Sequence, residues 1–195
     1  MSQVADLEKF AALLIKWNAA QNLVSRETLD QLWPRHIEDS LQLMDRFRLS
    51  DQKILDIGSG GGFPAIPLAI ASRDTGRTFT LLEPVGKKAA FLRAAARELN
   101  LPMTVHSVRA QDFDSRETFD LVTSRALAAL PGLLDLARRF LGPESRALLH
   151  KGREFRREIE EAAQLFDFDV LEHHSKTDAG GVILEISNLR AKSAR

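Results

Sequence analysis

The chain has 195 residues, 44% of them hydrophobic, and its 27 basic and 27 acidic residues give a net charge of zero. This length and apolar content predict one domain with a buried core. The absence of cysteine excludes disulfides, thiolate metal sites and iron–sulfur clusters, and it is typical of a reducing compartment. The balanced charge argues against a nucleic-acid binder that is basic over its whole surface.

The first 48 residues predict a helical extension that precedes the first strand. Apolar residues recur at helical spacing over 5–20, Ser25 can cap a short helix, and Pro34 can begin another. The N-terminus has neither the basic start nor the apolar stretch of a signal peptide, and no apolar run reaches membrane-spanning length. We therefore expect a cytoplasmic protein that does not interact with membranes.

A strand predicted at 53–57 runs into a glycine-rich turn with the sequence DIGSGGGFP over 56–64. A strand, a glycine turn and a helix in succession form the place where α/β sheets bind adenosine-containing cofactors, because glycine permits positive φ and close approach of a ligand. The second strand, predicted at 78–83, ends in Glu83, a carboxylate suited to ribose hydroxyls. A tight strand-to-helix connection without a ligand is the alternative interpretation of the turn.

Asp56, directly before the glycines, favours S-adenosylmethionine as the cofactor. A pyrophosphate beside this carboxylate would be repelled, whereas the amino and sulfonium groups of S-adenosylmethionine would be attracted. The dinucleotide-binding pattern fails when it starts at Gly58 and fits only from Gly60, and no Gly-Lys-Ser/Thr phosphate loop follows. Without cysteine, the chain cannot methylate C5 of a pyrimidine or use the cofactor in cluster-dependent radical chemistry.

The rest of the chain predicts an open α/β sheet that ends in a hairpin. Further helices are predicted at 86–99, 131–141 and 154–166, and further strands at 103–107, 119–123, 147–149, 168–174 and 182–187. The last two strands follow each other across the turn 178–181, which indicates an antiparallel hairpin at one edge. Alternating strands and helices are typical of a mostly parallel sheet. No histidine spacing indicates a metal site.

Motifs between residue 16 and about residue 152 resemble a single family. They are Trp17-Asn18, Asn22-Leu23, Arg35-His36-Ile37-x-Asp39-Ser40, the segment 56–67, Leu81-Leu82-Glu83-x-x-Gly86-Lys87-Lys88-x-x-Phe91-Leu92, Ser124-Arg125-Ala126 and Lys151-Gly152. In these places the chain is similar to the bacterial small-subunit ribosomal RNA guanine-N7 methyltransferases, the glucose-inhibited division protein B family. Other methyltransferases share the glycine turn but not the Trp-Asn, Arg-His-Ile and Ser-Arg-Ala elements, so the resemblance is specific.

The resemblance implies a class I methyltransferase fold, a Rossmann-like α/β architecture with a seven-stranded, mostly parallel sheet. It implies a single domain over 1–195, with a helical extension over 1–48 and a cofactor-binding core over 53–190. The implied reaction is S-adenosylmethionine-dependent methylation of guanine N7 at nucleotide 527, in the 530 loop of 16S ribosomal RNA. The expected partner is 16S ribosomal RNA or a small-subunit assembly intermediate, and we expect a monomer without a metal.

The site residues follow from the motifs together with the resemblance. The predicted cofactor-binding residues are Asp56, Gly58, Gly60, Phe63, Glu83, Ala110, Gln111 and Arg125. The predicted RNA-binding residues are Arg35, His36, Lys151 and Arg153. Gln111 stands where the family usually carries an acid, so hydrogen bonding to adenine is retained there while a charge role is lost.

The predicted reaction needs no general base, because guanine N7 carries a free lone pair and no proton at neutral pH. Catalysis then consists mainly of positioning and charge stabilisation. Arg125, after the fourth predicted strand, receives this orienting role, since its planar guanidinium suits the cofactor carboxylate or a substrate phosphate. No Asp-Pro-Pro-Tyr or Asn-Pro-Pro-Phe motif for exocyclic amines follows that strand.

Two alternative functions remain open from the sequence. The first is a methyltransferase of the same fold that acts on a small molecule or a protein, with the helical extension as a lid. The second is a non-catalytic RNA-binding assembly factor that kept the fold. Asp56, the glycine turn and Glu83 argue against the second alternative, because a protein that only binds RNA has no use for a cofactor site.

Overall fold

The computed structural model describes residues 2–114 and 116–192. Seven strands within these residues form one sheet in the order β3-β2-β1-β4-β5-β7-β6. The strands are β1 (Lys53–Ile57), β2 (Thr78–Leu82), β3 (Met103–His106), β4 (Phe119–Arg125), β5 (Leu141–Lys151), β6 (Phe166–His174) and β7 (Val182–Ala191). Neighbouring strands among β1–β5 are parallel, whereas β7 is antiparallel to both β5 and β6. The predicted fold class is confirmed, including the hairpin at one edge.

The helices cover both faces of the sheet and form the N-terminal extension. They are α1 (Gln3–Gln21), α2 (Arg26–Leu29), α3 (Asp39–Leu41), α4 (Ala65–Ala71), α5 (Gly86–Glu98), α6 (Leu130–Ala137) and α7 (Phe155–Leu165). A π-helical turn at Trp33–Glu38 leads into α3, and a 3-10 turn at Gln42–Arg46 follows it. Ser25 precedes α2 as predicted, but its side chain makes no capping hydrogen bond to the helix.

Two predicted boundaries are wrong. The helix predicted at 131–141 ends at Ala137, and the strand predicted at 147–149 extends over Leu141–Lys151. The strand begins early because Leu141 pairs with Phe119 before the register shifts and Arg146 pairs with Leu121. Sheet pairing therefore overrides the helical spacing of the apolar residues around 140.

The sheet separates two apolar cores because successive strand residues point to opposite faces. Ile54, Leu121 and Leu148 belong to the core that also contains residues of α1, α4 and α5. Leu55, Val122 and Leu149 belong to the opposite core, which contains residues of α6 and α7. The central strands are thus buried on both sides, and ligands have access at the ends of the strands. Within 2–114 and 116–192, no helix combines the length and apolarity needed to cross a bilayer.

A buried cluster of charges joins the N-terminal extension to the sheet. Arg146 is 1% exposed, and its Nη2 donates to Oδ2 of Asp51 at 2.6 Å while its Nη1 lies 3.2 Å from Oε1 of Glu185. Arg48 binds the same Glu185 oxygen at 2.7 Å from a side chain that is 56% exposed. Because a buried charge is costly unless it is paired, the two acids and Arg146 depend on one another.

Replacing Arg146 by methionine should lower the free energy of unfolding by about 3–5 kcal/mol, because the substitution fills the space but leaves Asp51 without its buried counter-charge. Arg48→Ala is the matched control, and it should cost less than about 1 kcal/mol, because it removes an exposed partner of the same acid. Urea unfolding of both variants measures the difference. Equal losses in the two variants would show that burial does not determine the strength of this cluster.

Candidate active site

A cavity of about 940 Å³ opens at the carboxyl ends of β1, β2 and β4. This volume lies in the range of about 300–1,000 Å³ that small-molecule sites occupy. The walls come from the glycine turn, the end of β4, the helical turns after α1 and the turn between β6 and β7. The predicted site residues that line this cavity are Arg35, His36, Gly58, Gly60, Phe63, Glu83 and Arg125.

The glycine turn has a backbone that other residues would strain. Gly58, Gly60 and Gly62 have φ values of 76°, 53° and 92°, in the left-handed region that favours glycine. A Cβ at Gly62 would lie 2.5 Å from Cδ1 of Ile66, and one at Gly58 would lie 2.7 Å from Cδ1 of Leu127. The positive φ of the turn therefore favours glycine at all three positions. At Gly58 and Gly62 the neighbouring side chains also leave little space for a Cβ.

Glu83 holds the glycine turn against the end of β2. Its Oε2 accepts a hydrogen bond from Gly60 N at 2.8 Å, its Oε1 accepts one from Val85 N at 2.8 Å, and the residue is 4% exposed. Hydrogen bonds to a carboxylate are strong, so this side chain is fixed in place. Each oxygen can accept a second donor, and Glu83 lines the cavity, so ribose hydroxyls fit here.

Asp56 lies behind the turn and is not among the residues that line the cavity. It is 1% exposed, its Oδ1 accepts from Oγ1 of Thr123 at 2.7 Å, and its Oδ2 is buried without a partner among the described residues. Burial raises the pKa of Asp56 to about 7, so the carboxyl carries only part of its charge at neutral pH. Its direct contact with the cofactor stays a prediction.

Arg125 leaves the end of β4 in a fixed orientation. Its Nη1 donates to the carbonyl oxygen of Arg35 at 3.1 Å and lies 3.3 Å from Oδ2 of Asp39. Its Nη2 lies 2.7 Å from Nδ1 of His36, and the guanidinium lies 5.0 Å from the centroid of the Phe63 ring, within cation–π distance. The structure thus brings three of the predicted residues, Arg35, His36 and Phe63, together around the guanidinium of a fourth.

His36 accepts the hydrogen bond from Arg125 as a neutral imidazole. Burial, and then the charge of Arg125, lower the pKa of His36 to about 4. Its ring also stacks on Phe63 with centroids 4.9 Å apart. A neutral imidazole bound in this way offers no charge to an RNA phosphate, so the predicted role of His36 in RNA binding gains no electrostatic support.

Ala110 and Gln111 lie in a 3-10 turn, Ala110–Asp112, and do not line the cavity. Their backbone carbonyls accept hydrogen bonds from Nη1 of Arg139 at 3.0 Å and 2.7 Å. These bonds fix the backbone of the turn while the Gln111 side chain stays exposed. The predicted adenine contact of this pair stays a prediction.

The two remaining predicted residues, Lys151 and Arg153, differ in how exposed their side chains are and in the partners of their charged groups. Lys151 is 8% exposed at its side chain, pairs with Glu158 at 2.6 Å and donates to the carbonyl of Ala128 at 2.9 Å. Its charge is therefore already neutralised within the protein, which the spacing of residues along the chain could not indicate. Arg153 is exposed, and its side chain packs against Gly180 in the turn between β6 and β7.

The turn between β6 and β7 contributes residues that sequence reasoning missed. Thr177, Asp178 and Ala179 line the large cavity. Oγ1 of Thr177 donates to Oδ1 of Asp39 at 2.7 Å, and Lys176 N donates to Oε1 of Gln42 at 2.9 Å. The signal available in the sequence was only that Asp39 belongs to a matched motif. The partners of Asp39 and Gln42 in this turn lie more than 130 residues away in sequence.

Across residues 2–114 and 116–192, no cluster of three or more histidine or acidic side chains could hold a metal ion. The cavity is lined by backbone amides and by charged and aromatic side chains, which are Asp39, Glu83, Asp178, Arg35, Lys88, Arg125, His36 and Phe63. Backbone amides and a carboxylate at strand ends suit a nucleoside cofactor. The donors and acceptors that line the cavity thus fit S-adenosylmethionine.

Comparisons with known proteins agree with this site. The family model for rRNA small subunit methyltransferase G (GidB) matches residues 3–185. The ribosomal RNA small subunit methyltransferase G of Brucella ovis is 48% identical over 197 residues, covering 98% of this chain and 91% of the relative.

Solved structures of methyltransferases share the fold. The glycopeptide N-methyltransferase MtfA complexed with S-adenosyl-L-methionine aligns with a TM-score of 0.64 and 14% identity, covering 78% of this chain and 93% of the other. The O-methyltransferase from Bacillus cereus, in complex with SAH, aligns with a TM-score of 0.63 and 18% identity, covering 92% of this chain and 91% of the other. At these identities the likeness concerns the fold.

Replacing Asp56 by asparagine should change stability in a pH-dependent way. The folded-state pKa of about 7 lies above the ordinary 3.8, so the wild-type carboxyl stabilises the fold fully below pH 3.8 and loses that contribution as the pH rises through 7. The stability of wild type relative to Asp56→Asn should therefore fall between pH 4 and 7, by up to about 1.4 kcal/mol per pH unit. Urea unfolding across this range measures it, with the exposed Asp74→Asn as control. A difference independent of pH would contradict the raised pKa.

Proposed function

The chain belongs to the rRNA small subunit methyltransferase G family, and on that premise we propose that it methylates N7 of a guanine in 16S ribosomal RNA. It is an S-adenosylmethionine-dependent methyltransferase. The observation that carries the proposal is the glycine turn held by Glu83 in a cavity that continues to Arg125. The proposal is supported by the fact that the glycine turn, Glu83 and the guanidinium of Arg125 line the same cavity.

The residues of the cavity suit a transfer that needs positioning and no proton acceptor. S-adenosylmethionine supplies an electrophilic methyl group when bound. Gly60 and Glu83 bind and orient its nucleoside part, and Arg125 orients the cofactor carboxylate or the substrate through the hydrogen bonds of its guanidinium. The imidazole of His36, the histidine that lines the cavity, uses its Nδ1 as an acceptor for Arg125. Since this nitrogen already accepts a hydrogen bond, the arrangement agrees with a nucleophile, guanine N7, that carries no proton and needs no general base.

We assign the RNA backbone contacts to the exposed arginines at the edge of the cavity. Arg35 and Arg153 are exposed, and both lie at the carboxyl edge of the sheet, beside the walls of the cavity. Lys151 holds the loop before α6 through Ala128 and α7 through Glu158, so we give it a structural role. His36 then contributes indirectly, by orienting Arg125.

Four finer statements belong to the same proposal. The target is nucleotide 527 in the 530 loop, the substrate is 16S ribosomal RNA or a small-subunit assembly intermediate, and the enzyme works as a cytoplasmic monomer with a single domain. The family resemblance in the Arg35–Ser40 and Ser124–Ala126 motifs supports the target.

The direct test is to incubate the protein with tritiated S-adenosylmethionine and ribosomal RNA from cells that lack the gene. We expect label on one guanine of 16S ribosomal RNA, with strand cleavage after borohydride and aniline treatment, which marks N7-methylguanine. Naked RNA, assembled small subunits and precursor particles should be compared in parallel. Label on another base atom, on protein or on a small molecule, with none on the RNA at N7, would contradict the proposal.

Replacing Arg153 by alanine should weaken RNA binding and reduce the slope of log affinity against log salt by about 0.7, the value for one lost contact to a single strand. Arg157→Ala is the matched control, because Arg157 is exposed on α7 and already pairs with Glu161 at 2.9 Å. Filter binding at several salt concentrations measures both. An unchanged slope in Arg153→Ala would remove this residue from the RNA surface.

A further inference from the structure

A second, smaller cavity of about 230 Å³ adjoins the cofactor cavity at the carboxyl ends of β4 and β5. The two cavities share Asp39, Arg125, Ala126 and Asp178 as lining residues, and we call the region where they meet the passage. Ala126 has a φ of 52°, a left-handed conformation that strains a non-glycine residue. Such strain concentrates at ligand sites, so the passage is a candidate position for the methyl acceptor.

Most polar groups in the passage already have partners. Asp39 accepts from Thr177 with Oδ1 and faces Arg125 with Oδ2. Arg125 uses Nη1 and Nη2 for its bonds to the N-terminal extension, and no described residue accepts from its Nε–H. Oδ1 of Asp178 accepts from Gly180 N at 2.9 Å, and its Oδ2 has no partner among the described residues. The passage therefore offers free N–H groups of one cation and one carboxylate oxygen without a partner among the described residues.

We propose that the acceptor guanine binds in this passage, with its O6 bonded to Arg125 and its N1–H and N2 amino group facing Asp178. The inference rests on the proposed function and identifies Asp178 as the residue that selects guanine. Around the purine ring, N7, O6, N1 and N2 follow one another. When O6 meets Arg125 and the Watson–Crick edge meets Asp178, transfer requires that N7 face the cofactor cavity.

Adenine does not match these groups. Its N6 amino group would face the guanidinium of Arg125, so two donors would meet. Its N1 is an acceptor and would face the carboxylate of Asp178. A site built to hydrogen-bond its substrate rejects an analogue that leaves the site's polar groups unpaired. The passage therefore explains selection of guanine over adenine with two side chains.

The N-terminal extension connects the turn that carries Asp178 with Arg125. Asp39 contacts both sides, since it faces Arg125 with one oxygen and accepts from Thr177, the neighbour of Asp178, with the other. Gln42 adds a bond from its Nε2 to Oγ1 of Thr177 at 3.3 Å. The turn that carries Asp178 is thus tied by part-buried hydrogen bonds to the residue that faces Arg125.

The first test is Asp178→Asn, because asparagine can still accept from Gly180 N and so keeps the turn, while its amide presents a donor to the base. We expect kcat/KM for 16S ribosomal RNA to fall about 10–100-fold, with the Kd of S-adenosylmethionine unchanged within about twofold. Asp74→Asn is the matched control, because Asp74 is exposed between α4 and β2 and lines neither cavity. Wild-type kcat/KM in Asp178→Asn would overturn the inference.

The second test replaces the target guanosine by inosine, which lacks only the N2 amino group. Wild type should prefer guanosine about tenfold, and Asp178→Ala should bring that ratio close to one. The same preference in both proteins would overturn the role of Asp178 even if methylation proceeds. Absence of any transfer to RNA by wild type would instead overturn the proposed function, and this inference with it.

Discussion

The site depends on the carboxylate of Glu83, which binds the Gly60 and Val85 amides and so joins the ends of β1 and β2. Without it, the Gly60 and Val85 amides would lose their hydrogen-bond acceptor, and the glycine turn would have no fixed position relative to the second strand. The same carboxylate retains acceptor capacity toward the cavity. One side chain therefore shapes the cofactor site and remains available to the cofactor.

The other constraint is the N-terminal extension, which positions the acceptor side of the site. Asp39 connects Arg125 at the end of β4 with Thr177 in the turn between β6 and β7. The neutral imidazole of His36 accepts a hydrogen bond from Nη2 of the same guanidinium. The extension thus contributes to the candidate site, because it orients Arg125 and binds Thr177, the neighbour of Asp178.

Local patterns were enough to predict the fold and several residues that line the cavity. Strand periodicity identified all seven strands, and the glycines with Glu83 identified the cavity, because those residues are close in sequence or end neighbouring parallel strands. The contacts of Asp39 and Gln42 with the last hairpin could not be predicted, since they join positions more than 130 residues apart. The burial of a side chain likewise cannot be inferred from the local sequence. Lys151 was therefore predicted to bind RNA, and its pairing with Glu158 could not be foreseen.

The most direct test of the account is a crystal structure of the protein with S-adenosylmethionine bound. The account predicts that the ribose hydroxyls lie within hydrogen-bonding distance of Glu83, about 3 Å, while Gly60 N still donates to the same carboxylate. The methyl group should point to Arg125 and the passage. A cofactor bound elsewhere, or a Glu83 that has released Gly60 and does not contact the ribose, would contradict the account.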